Sequence, residues 1–436
     1  MLDVRAPTKT SVVPALVVWA ALIVLAVLWG QVLVATHHDL VLGAPPFWSP
    51  LRFHPTARVF PALLVAFAMV RWAPRATRSL GWRSLLATTF VASVVWSCAV
   101  ALIDTIRGIN ALTDPLRLGR NDYLQTARGI GSLHAFLSHF VDQIAGYPQN
   151  TKGHPPGMVL IEWLLNKVGL ATPGWSAVLV VAGGAAAGVA ALVALQEVAG
   201  EEAARTVAPF MILVPAVIWW QTADAFFAGV SAWSVTAIVL ASGRDGRRAT
   251  ALAVAGGVGF GITAFLSYGL VLLAIIPIAV CISRRRVPLL GVAALGSLPL
   301  FAAFAALGFS WFSGFAATRH QYWTGVAIRR PYSYFLFADL ALFAVATGPA
   351  VAVALTRLRD RRVGLLVGAI IAVVALADLS GMSKAEVERI WLPFVPWALL
   401  ATAAFSDARP AARLRPWLAL QAACTLAVAV TIWSQW

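Results

Sequence analysis

Two aspartates stand in short polar stretches between apolar runs, where a carboxylate could do chemistry. Asp122 lies in "RNDYL" and Asp224 in "WWQTADAFFAG". On a loop beside a membrane, Asp122 is a candidate general base for an acceptor hydroxyl; the alternative is a solvated acid paired with Arg120. A carboxylate in a tight turn between two spans, such as Asp224, is costly unless it is paired, binds a cation or lines a wet cavity. We therefore favour a functional role for Asp224, with a helix cap as the alternative.

Basic and aromatic residues in two later stretches indicate an anion site. Residues 311–335 read "WFSGFAATRHQYWTGVAIRRPYSYF", and residues 381–394 read "GMSKAEVERIWLPF". Arginine binds phosphate oxygens in bidentate fashion, and interfacial rings flank a lipid or a sugar. The alternatives are an ordinary interfacial belt for the first stretch and a surface salt-bridge ladder for the second. The candidate substrate-binding residues here are Arg319, Arg329, Arg330, Tyr332, Lys384, Glu388 and Arg389.

A proline-stiffened stretch, "GYPQNTKGHPPGMVL" at 146–160, precedes a short apolar segment. Its prolines can begin a helix at Pro155 or Pro156. His154 then stands at the helix entrance as a metal ligand, proton donor or sugar contact. A lone histidine is more often structural, which is the alternative here. The candidates for substrate binding in this part of the chain are Tyr123, Lys152 and His154.

The elements that position these residues are apolar. Of the 436 residues, 60% are hydrophobic and only 12% are charged, against about 25% charged residues in a typical soluble domain. Apolar runs of about 20 residues recur along the chain, and each can cross a hydrocarbon core of roughly 30 Å. The net charge of +15 comes from arginine clusters between these runs, so the expected partner is a lipid bilayer and not nucleic acid. We predict a single all-α polytopic membrane domain over 1–436.

The predicted topology has about thirteen transmembrane helices, with the N-terminus inside and the C-terminus outside. The arginine clusters then fall on the cytoplasmic side. This parity requires 157–170, which is short and carries Glu162, to be a juxtamembrane helix on the outer face. The large outer loop is 105–170, and a second outer loop covers 309–335. The approximate spans are 12–35, 58–73, 83–104, 175–197, 204–219, 226–242, 249–266, 268–283, 287–308, 336–356, 363–380, 389–406 and 416–435.

The order of the polar motifs resembles the GT-C glycosyltransferase superfamily, in particular the branch of protein O-mannosyltransferases and lipid A aminoarabinose transferases. "NDYL" is followed by "HPPG", then "TADAFFAG", then "VERIWLPFVPWALL", between about residues 113 and 400. That branch carries an acidic residue in its first large outer loop, an HPP segment before a juxtamembrane helix, a T-x-D-A turn and a late arginine at a helix start. The resemblance implies a GT-C-like helical bundle.

The resemblance also implies an inverting transferase at the cell membrane. It would move a sugar from a polyprenyl-phosphate donor to an envelope glycan, glycolipid or protein on the extracytoplasmic side. Asp122 would be the catalytic base, Asp224 the second acid, and His154 the histidine of the HPP segment. The residues implied to hold the leaving phosphate are Arg389, Arg329 and Arg330.

The chain departs from the family pattern in ways that leave alternatives open. Two extra spans precede the core, and "NDYL" supplies one acid, so Asp104 and Asp114 are alternative bases. No cofactor is firmly indicated, and a divalent metal ion between Asp224 and His154 is the alternative to a metal-free site.

Rival functions and the sugar also stay open at this stage. The rivals are a polytopic transporter or lipid flippase, and a lipid-linked glycan ligase or polymerase. The high Ala, Val, Arg and Trp content is typical of a GC-rich genome and suggests an actinobacterium. By that association alone, the donor sugar would be mannose or arabinofuranose.

Overall fold

The computed structural model describes residues 12–104, 106–406 and 411–434. Within these ranges the chain is helical, and its only β-type pairings are two isolated bridges. The helices of the first half are α1 (Val12–Ala35), α2 (Val59–Ser79), α3 (Trp82–Ala101), α4 (Asp122–Arg128), α5 (Leu133–Ser138), α6 (Gln149–Lys152), α7 (Gly157–Lys167), α8 (Pro173–Ala199), α9 (Glu201–Ile212) and α10 (Ala223–Ser242). Those of the second half are α11 (Gly246–Leu266), α12 (Ile275–Ser283), α13 (Pro288–Ala306), α14 (Trp311–Thr324), α15 (Tyr332–Thr347), α16 (Pro349–Arg357), α17 (Arg361–Leu379), α18 (Val387–Ile390), α19 (Val395–Leu399) and α20 (Arg415–Thr431).

The predicted all-α polytopic membrane protein is confirmed. Within the described ranges, nine helices are long and apolar enough to cross a membrane, or ten if α15 and α16 form one bent span. The other predicted spans fall on shorter helices, namely α9 and the stretches Tyr268–Ser283 and Leu392–Phe405. The count of thirteen and the orientation stay predictions. The predicted sides of the two termini concern residues 1–11 and 435–436, which lie outside the described residues.

The polar segments that we predicted to lie outside the membrane all lie at the same end of the helical bundle. We call this end the loop end. The loop between α1 and α2, residues 36–58, contacts the second outer loop through the Asp39–Arg329 ion pair. The same loop reaches the 381–394 stretch, where the Trp48 amide donates to Glu388 over 3.2 Å. Arg389 in turn contacts both Asn150 and Asp224, as described below. The segments are therefore on one side, whichever side of the membrane that is.

The opposite end gathers arginine clusters. Arg284 Nη1 lies 3.1 Å from Glu197 Oε1, and Arg415 donates to the carbonyl of Arg71 over 3.1 Å. These contacts join α8 to the C-terminal end of α12, and α2 to the start of α20. The separation of arginine clusters from the polar loops, expected from the positive-inside rule, is thus a property of the fold.

Small residues bring the helices that carry the site close together. A Cβ atom added at Gly183 of α8 would lie 2.5 Å from the Cα of Phe226 in α10, and one at Gly229 would lie 2.6 Å from the carbonyl oxygen of Gly183. Only glycine allows these two backbones to approach so closely. Asp224, in the first turn of α10, is positioned by this contact.

The predicted short helix at 157–170 is present as α7, and its place along the membrane surface stays a prediction. Its 11 residues span about 16 Å, roughly half of a hydrocarbon core. Pro156 caps it, and a Cβ atom at Gly157 would lie 2.2 Å from the Phe265 carbonyl oxygen at the end of α11. Position 157 in "HPPG" therefore requires glycine, because the start of α7 lies so close to the backbone at the end of α11. The second outer loop differs from expectation, because most of it forms helix α14, capped by Ser310.

Helices α15 and α16 meet at an angle of 93°. The bend falls at Gly348, whose φ of 83° is in the left-handed region that favours glycine. Gln421 of α20 fills the space beside it: its Nε2 donates to the Thr347 carbonyl over 2.9 Å, and its Oε1 accepts from the Ala350 amide over 3.1 Å. One side chain thus satisfies two backbone groups that the bend releases in an apolar region.

Candidate active site

A polar cavity of about 400 Å³ lies at the loop end, between the outer loop and the start of α10. Its lining includes Asp122, Asp224 and Arg389, three residues from three of the motifs that the sequence singled out. The remaining polar residues in its wall are Arg120, Asn121, Tyr123, Asn150, Glu162, Gln221 and Thr222. Residues more than 260 positions apart in the chain therefore meet in one space.

Arg389 and Asp224 form a buried ion pair in the wall of this cavity. Arg389 Nη1 donates to Asp224 Oδ2 over 2.9 Å, and the two side chains are only 8% and 5% exposed. Nη2 of the same guanidinium donates to Glu386 Oε2 over 2.5 Å and to Asn150 Oδ1 over 3.3 Å. Acceptors on three separate segments therefore fix the guanidinium plane.

Local backbone geometry explains how Arg389 reaches the cavity. Ala385 and Glu386 both have positive φ, at 70° and 62°, and they precede the short helix α18 that carries Arg389. Such dihedrals are uncommon for residues with a Cβ atom and cluster at functional sites. The abrupt turn lets Glu386 and Arg389 bond to each other while Arg389 faces α10.

Asp122 is the first residue of α4 and stands at the mouth of the cavity. Asn121 caps the helix, because its Oδ1 accepts from the amides of Tyr123 and Leu124. The half-buried Asp122 carboxylate accepts from the Asn150 amide over 2.7 Å through Oδ2. Since Asn150 also bonds to Arg389, it connects the candidate base to the buried ion pair.

His154 lies behind this wall. Its Nδ1 donates to the Asn150 carbonyl over 2.8 Å and lies 3.1 Å from the Tyr123 hydroxyl. Burial lowers the pKa of His154, while the charge of Asp224 acts in the opposite direction. The imidazole is therefore expected to be neutral near pH 7. In this arrangement His154 positions Asn150 and Tyr123.

The two predicted metal ligands are both engaged by other groups. Asp224 holds Arg389, and His154 Nδ1 holds the Asn150 carbonyl. Within the described ranges no cluster of three or more His, Cys, Asp or Glu residues is arranged to hold a metal ion. A divalent ion between Asp224 and His154 stays a prediction of the sequence alone.

Arg330 and Lys384 are buried, and they donate their hydrogen bonds to backbone carbonyls outside the cavity; Arg330 also lies 3.7 Å from Glu386. Arg330 Nη1 donates to the Lys384 carbonyl over 2.6 Å, and its other nitrogens reach the carbonyls of Leu40 and Val41 at 3.4 Å. Lys384 Nζ donates to the carbonyls of Ala327 and Arg330, each over 2.8 Å. These two cations, which the sequence placed at a phosphate site, join the outer loops to one another. We call the pair the carbonyl brace.

Three further substrate-binding candidates are exposed at the loop end and do not line the cavity. Arg329 pairs with Asp39, and the Tyr332 hydroxyl donates to the Leu379 carbonyl over 2.8 Å. Arg319 lies on the outer surface of α14. Their side chains are directed to the surface or to other loops, and none of the three lines the cavity.

Glu388 and Lys152 are likewise held away from the cavity. Glu388 is 1% exposed and accepts from the Trp48 amide; burial raises its pKa to about 7. The carbonyl of Lys152 accepts from Thr318 over 3.0 Å, which joins α6 to α14.

The alternative bases are both occupied in ion pairs. Asp104 Oδ2 lies 2.7 Å from Arg107 Nε, and the same carboxylate accepts from two amides of its own turn. Asp114 Oδ2 lies 3.1 Å from Arg120 Nη1. Of the three acids proposed as base, only Asp122 lines the cavity.

Sequence reasoning did not assign Glu162, Gln221 or Asn150 to the site. Glu162 of α7 is fully buried: its Oε1 accepts from Asn121 over 3.0 Å, and its Oε2 has no hydrogen-bond partner among the described residues. Burial raises its pKa. The Nε2 of the buried Gln221 also has no partner. An acid inside an apolar helix is itself a functional signal, and it was interpreted only as evidence against a membrane span.

An apolar groove of about 980 Å³ lies between helices of the bundle. Helices α1, α15, α16 and α17 form its walls, and Leu379 lines its end nearest the loops. Ten residues further along the chain, Arg389 lines the polar cavity. The connection between α17 and α18 thus links the apolar groove to the charged site along the chain.

No known protein family matches the sequence, and no curated protein matches it significantly. Similar solved structures include apo ArnT from Cupriavidus metallidurans, with a TM-score of 0.44 and 16% identity over 77% of this chain and 61% of that one. They also include an Archaeoglobus fulgidus oligosaccharyltransferase solved with zinc and sulfate, with a TM-score of 0.45 and 15% identity over 80% and 53%. This chain spans about half to three fifths of the length of those proteins.

Proposed function

We propose that this protein transfers a sugar from a polyprenyl-phosphate donor to an acceptor hydroxyl, with inversion at the anomeric carbon. The observation that carries the proposal is one cavity that combines a hydrogen-bonded carboxylate at its mouth with a buried arginine in its wall. The apolar groove between the helices supports a donor with a long hydrocarbon tail. The motif order of the sequence supports the same class of reaction.

In the proposed step, Asp122 accepts the proton of the acceptor hydroxyl. The acceptor oxygen then bonds to the anomeric carbon, while the bond from that carbon to the phosphate oxygen breaks. The leaving polyprenyl phosphate takes the electron pair and gains negative charge. Arg389, already oriented by its carboxylate partners, and Arg120 would stabilise that charge, because preorganised donors act where charge develops.

The finer features of the proposal rest on the sequence and on this site together. The donor would be presented on the extracytoplasmic face of the cell membrane. The acceptor would be an envelope glycan, a glycolipid or a protein. Asp224 would act through Arg389, whose guanidinium it orients. A transporter or flippase would have no need for a carboxylate aligned with a phosphate-binding arginine.

The test is turnover of a synthetic polyprenyl-phosphate sugar by the purified full-length protein. We expect release of polyprenyl phosphate, and we expect Asp122→Asn to reduce it by about 10²–10⁴-fold, the range for loss of a general base. The matched control is Asp142→Asn, an exposed acid on the same loop, which should behave as wild type. Normal turnover by Asp122→Asn with an unchanged melting temperature would refute the assignment of the base. Donor movement across the bilayer without cleavage would favour the flippase.

A further inference from the structure

A second cavity, of about 460 Å³, opens at the loop end within residues 125–148 of the outer loop. We propose that this cavity is the acceptor site and that the acceptor is a neutral carbohydrate chain. The inference rests on the proposed function, since it names the substrate that Asp122 would deprotonate. The cavity is formed by one continuous piece of chain, unlike the first cavity, whose walls come from several distant segments.

Helix α4 separates the two cavities. Asp122 and Tyr123 line the first cavity, and Gln125 and Thr126 line the second. Four residues of helix correspond to a rise of about 6 Å, and Thr126 Oγ1 donates to the Asp122 carbonyl over 2.9 Å. A chain bound in the second cavity would therefore end within reach of the candidate base.

The segment that faces α4, around residues 148–150, also contributes residues to both cavities. Pro148 lines the second cavity, and Asn150, two residues later, lines the first and donates its amide to Asp122. The Asp122 carboxylate is thus bonded to the segment that separates the spaces. This is the position required of a base that takes a proton on one side and delivers the acceptor oxygen to a donor on the other.

The lining chemistry of the second cavity favours a neutral sugar. It contains no Asp, Glu, Lys or Arg, whereas the first cavity contains both signs of charge. Its polar groups are side-chain amides, hydroxyls and one imidazole, on Gln125, Thr126, Ser132, His139 and Gln143. Amide and hydroxyl groups both donate and accept hydrogen bonds, which matches sugar hydroxyls. An anionic headgroup or an acidic peptide would find no cation in the wall.

The aromatic wall of the cavity is preformed. The Tyr147 ring stacks on Phe140, with centroids 5.1 Å apart, and Phe140 packs edge-on against the buried Phe309 at 5.5 Å. The Tyr147 hydroxyl donates to Gln143 over 3.3 Å, which also orients that amide. An aromatic face fixed to the bundle offers apolar contact area at low entropic cost, and the C–H face of a sugar ring can pack on it.

The test compares acceptor use with donor cleavage in the purified full-length protein. The probes are a polyprenyl-phosphate sugar and a neutral oligosaccharide, with slow transfer to water measured when the oligosaccharide is omitted. For Tyr147→Ala we expect the acceptor KM to rise at least about tenfold, with transfer to water and the donor KM unchanged. Tyr147→Phe keeps the ring and should stay within about threefold of wild type. Gln143→Leu, at an exposed position, should raise the acceptor KM alone.

The outcomes separate this inference from the function on which it rests. An unchanged acceptor KM in both Tyr147→Ala and Gln143→Leu, with normal donor cleavage, would overturn the acceptor site and leave the proposed function intact. Transfer to a neutral peptide that is impaired by these variants, while transfer to the oligosaccharide is not, would overturn the carbohydrate assignment. No donor cleavage by the wild-type protein would overturn the proposed function, and the acceptor site with it.

Discussion

Arg330 and Arg389 are both buried at the loop end, and both approach Glu386, at 3.7 and 2.5 Å. They differ in the other groups to which they donate. Arg330 donates to the backbone carbonyls of Leu40 and Lys384, and its guanidinium lies over the rings of Trp48 and Phe335. Arg389 reaches the side chains of Asp224 and Asn150 and lines the cavity.

The comparison teaches that the partners of a buried arginine, more than its burial, indicate its role. Every residue of a loop has a backbone carbonyl. The contacts of the carbonyl brace therefore depend on the path of the chain, and they hold the loops together. A buried arginine–carboxylate pair is weak evidence for stability, because desolvation offsets much of its attraction. We therefore interpret the Arg389–Asp224 pair as a functional arrangement and the carbonyl brace as a structural one.

The largest expected difference is in turnover after replacement of each arginine by lysine. Arg389→Lys keeps the charge but loses the planar fork, and we expect turnover per folded molecule to fall about 10²–10³-fold, as when a transition-state donor is removed. Arg330→Lys should leave that turnover within about threefold but destabilise the protein by about 1–3 kcal/mol, since buried carbonyls lose donors. Activity and thermal unfolding in detergent measure the two effects. Equal losses of turnover would remove the distinction.

A smaller effect is expected at Glu388, which adjoins Arg389 in sequence but accepts from a backbone amide. Burial raises its pKa to about 7, above its ordinary value of 4.5, with the charge of Glu386 acting in the same direction. The unfolded chain ionises first, so the contribution of Glu388 to stability is present below pH 4.5 and is lost as the pH rises to about 7.

Glu388→Gln removes this titration. Relative to wild type, the variant should gain stability between pH 5 and 8, by about 1–3 kcal/mol at the upper end, while turnover per folded molecule is unchanged. Thermal unfolding at a series of pH values is the measurement. A variant whose pH profile parallels that of wild type would show that Glu388 does not titrate in this range. A loss of turnover in Glu388→Gln would show that Glu388, like Arg389, has a functional role.

The smallest effect is expected at Arg329, whose ion pair with Asp39 is more than half exposed on both sides. Exposed pairs contribute about 0–1 kcal/mol. Arg329→Ala should therefore leave both turnover and melting temperature close to wild type, and Arg319→Ala serves as the control on the neighbouring helix. A tenfold loss of turnover in Arg329→Ala alone would bring the second outer loop into the substrate site.

The sequence predicted which motifs contribute residues to the cavity, but not which cationic side chains line it. Asp122, Asp224 and Arg389 were identified from motif order, and all three line one space. Arg330 could not be separated from Arg389, because its acceptor at Leu40 is a carbonyl 290 residues away. Side-chain type carries no information about such a bond.

Hydropathy predicted the long helices well, because a span requires a continuous apolar run. It did not predict the bend at Gly348, where apolar residues continue on both sides, nor helix α14, whose mixture of aromatic and basic residues resembles a loop. Asn150 was missed for a different reason. Its backbone amide and carbonyl, as well as its side chain, bond to site residues, and only the side chain is visible in a motif.

The contacts of Gln421 have a consequence for how the protein is made. The carbonyl of Thr347 and the amide of Ala350 receive their bonds from the last helix, more than 70 residues downstream. During synthesis, the bent pair leaves the ribosome well before that partner exists. The bend between α15 and α16 can therefore take its final form only after α20 is inserted. A chain truncated before Gln421 would be expected to reach the membrane with the Thr347 and Ala350 backbone groups unpaired, and to be exposed to quality-control proteolysis.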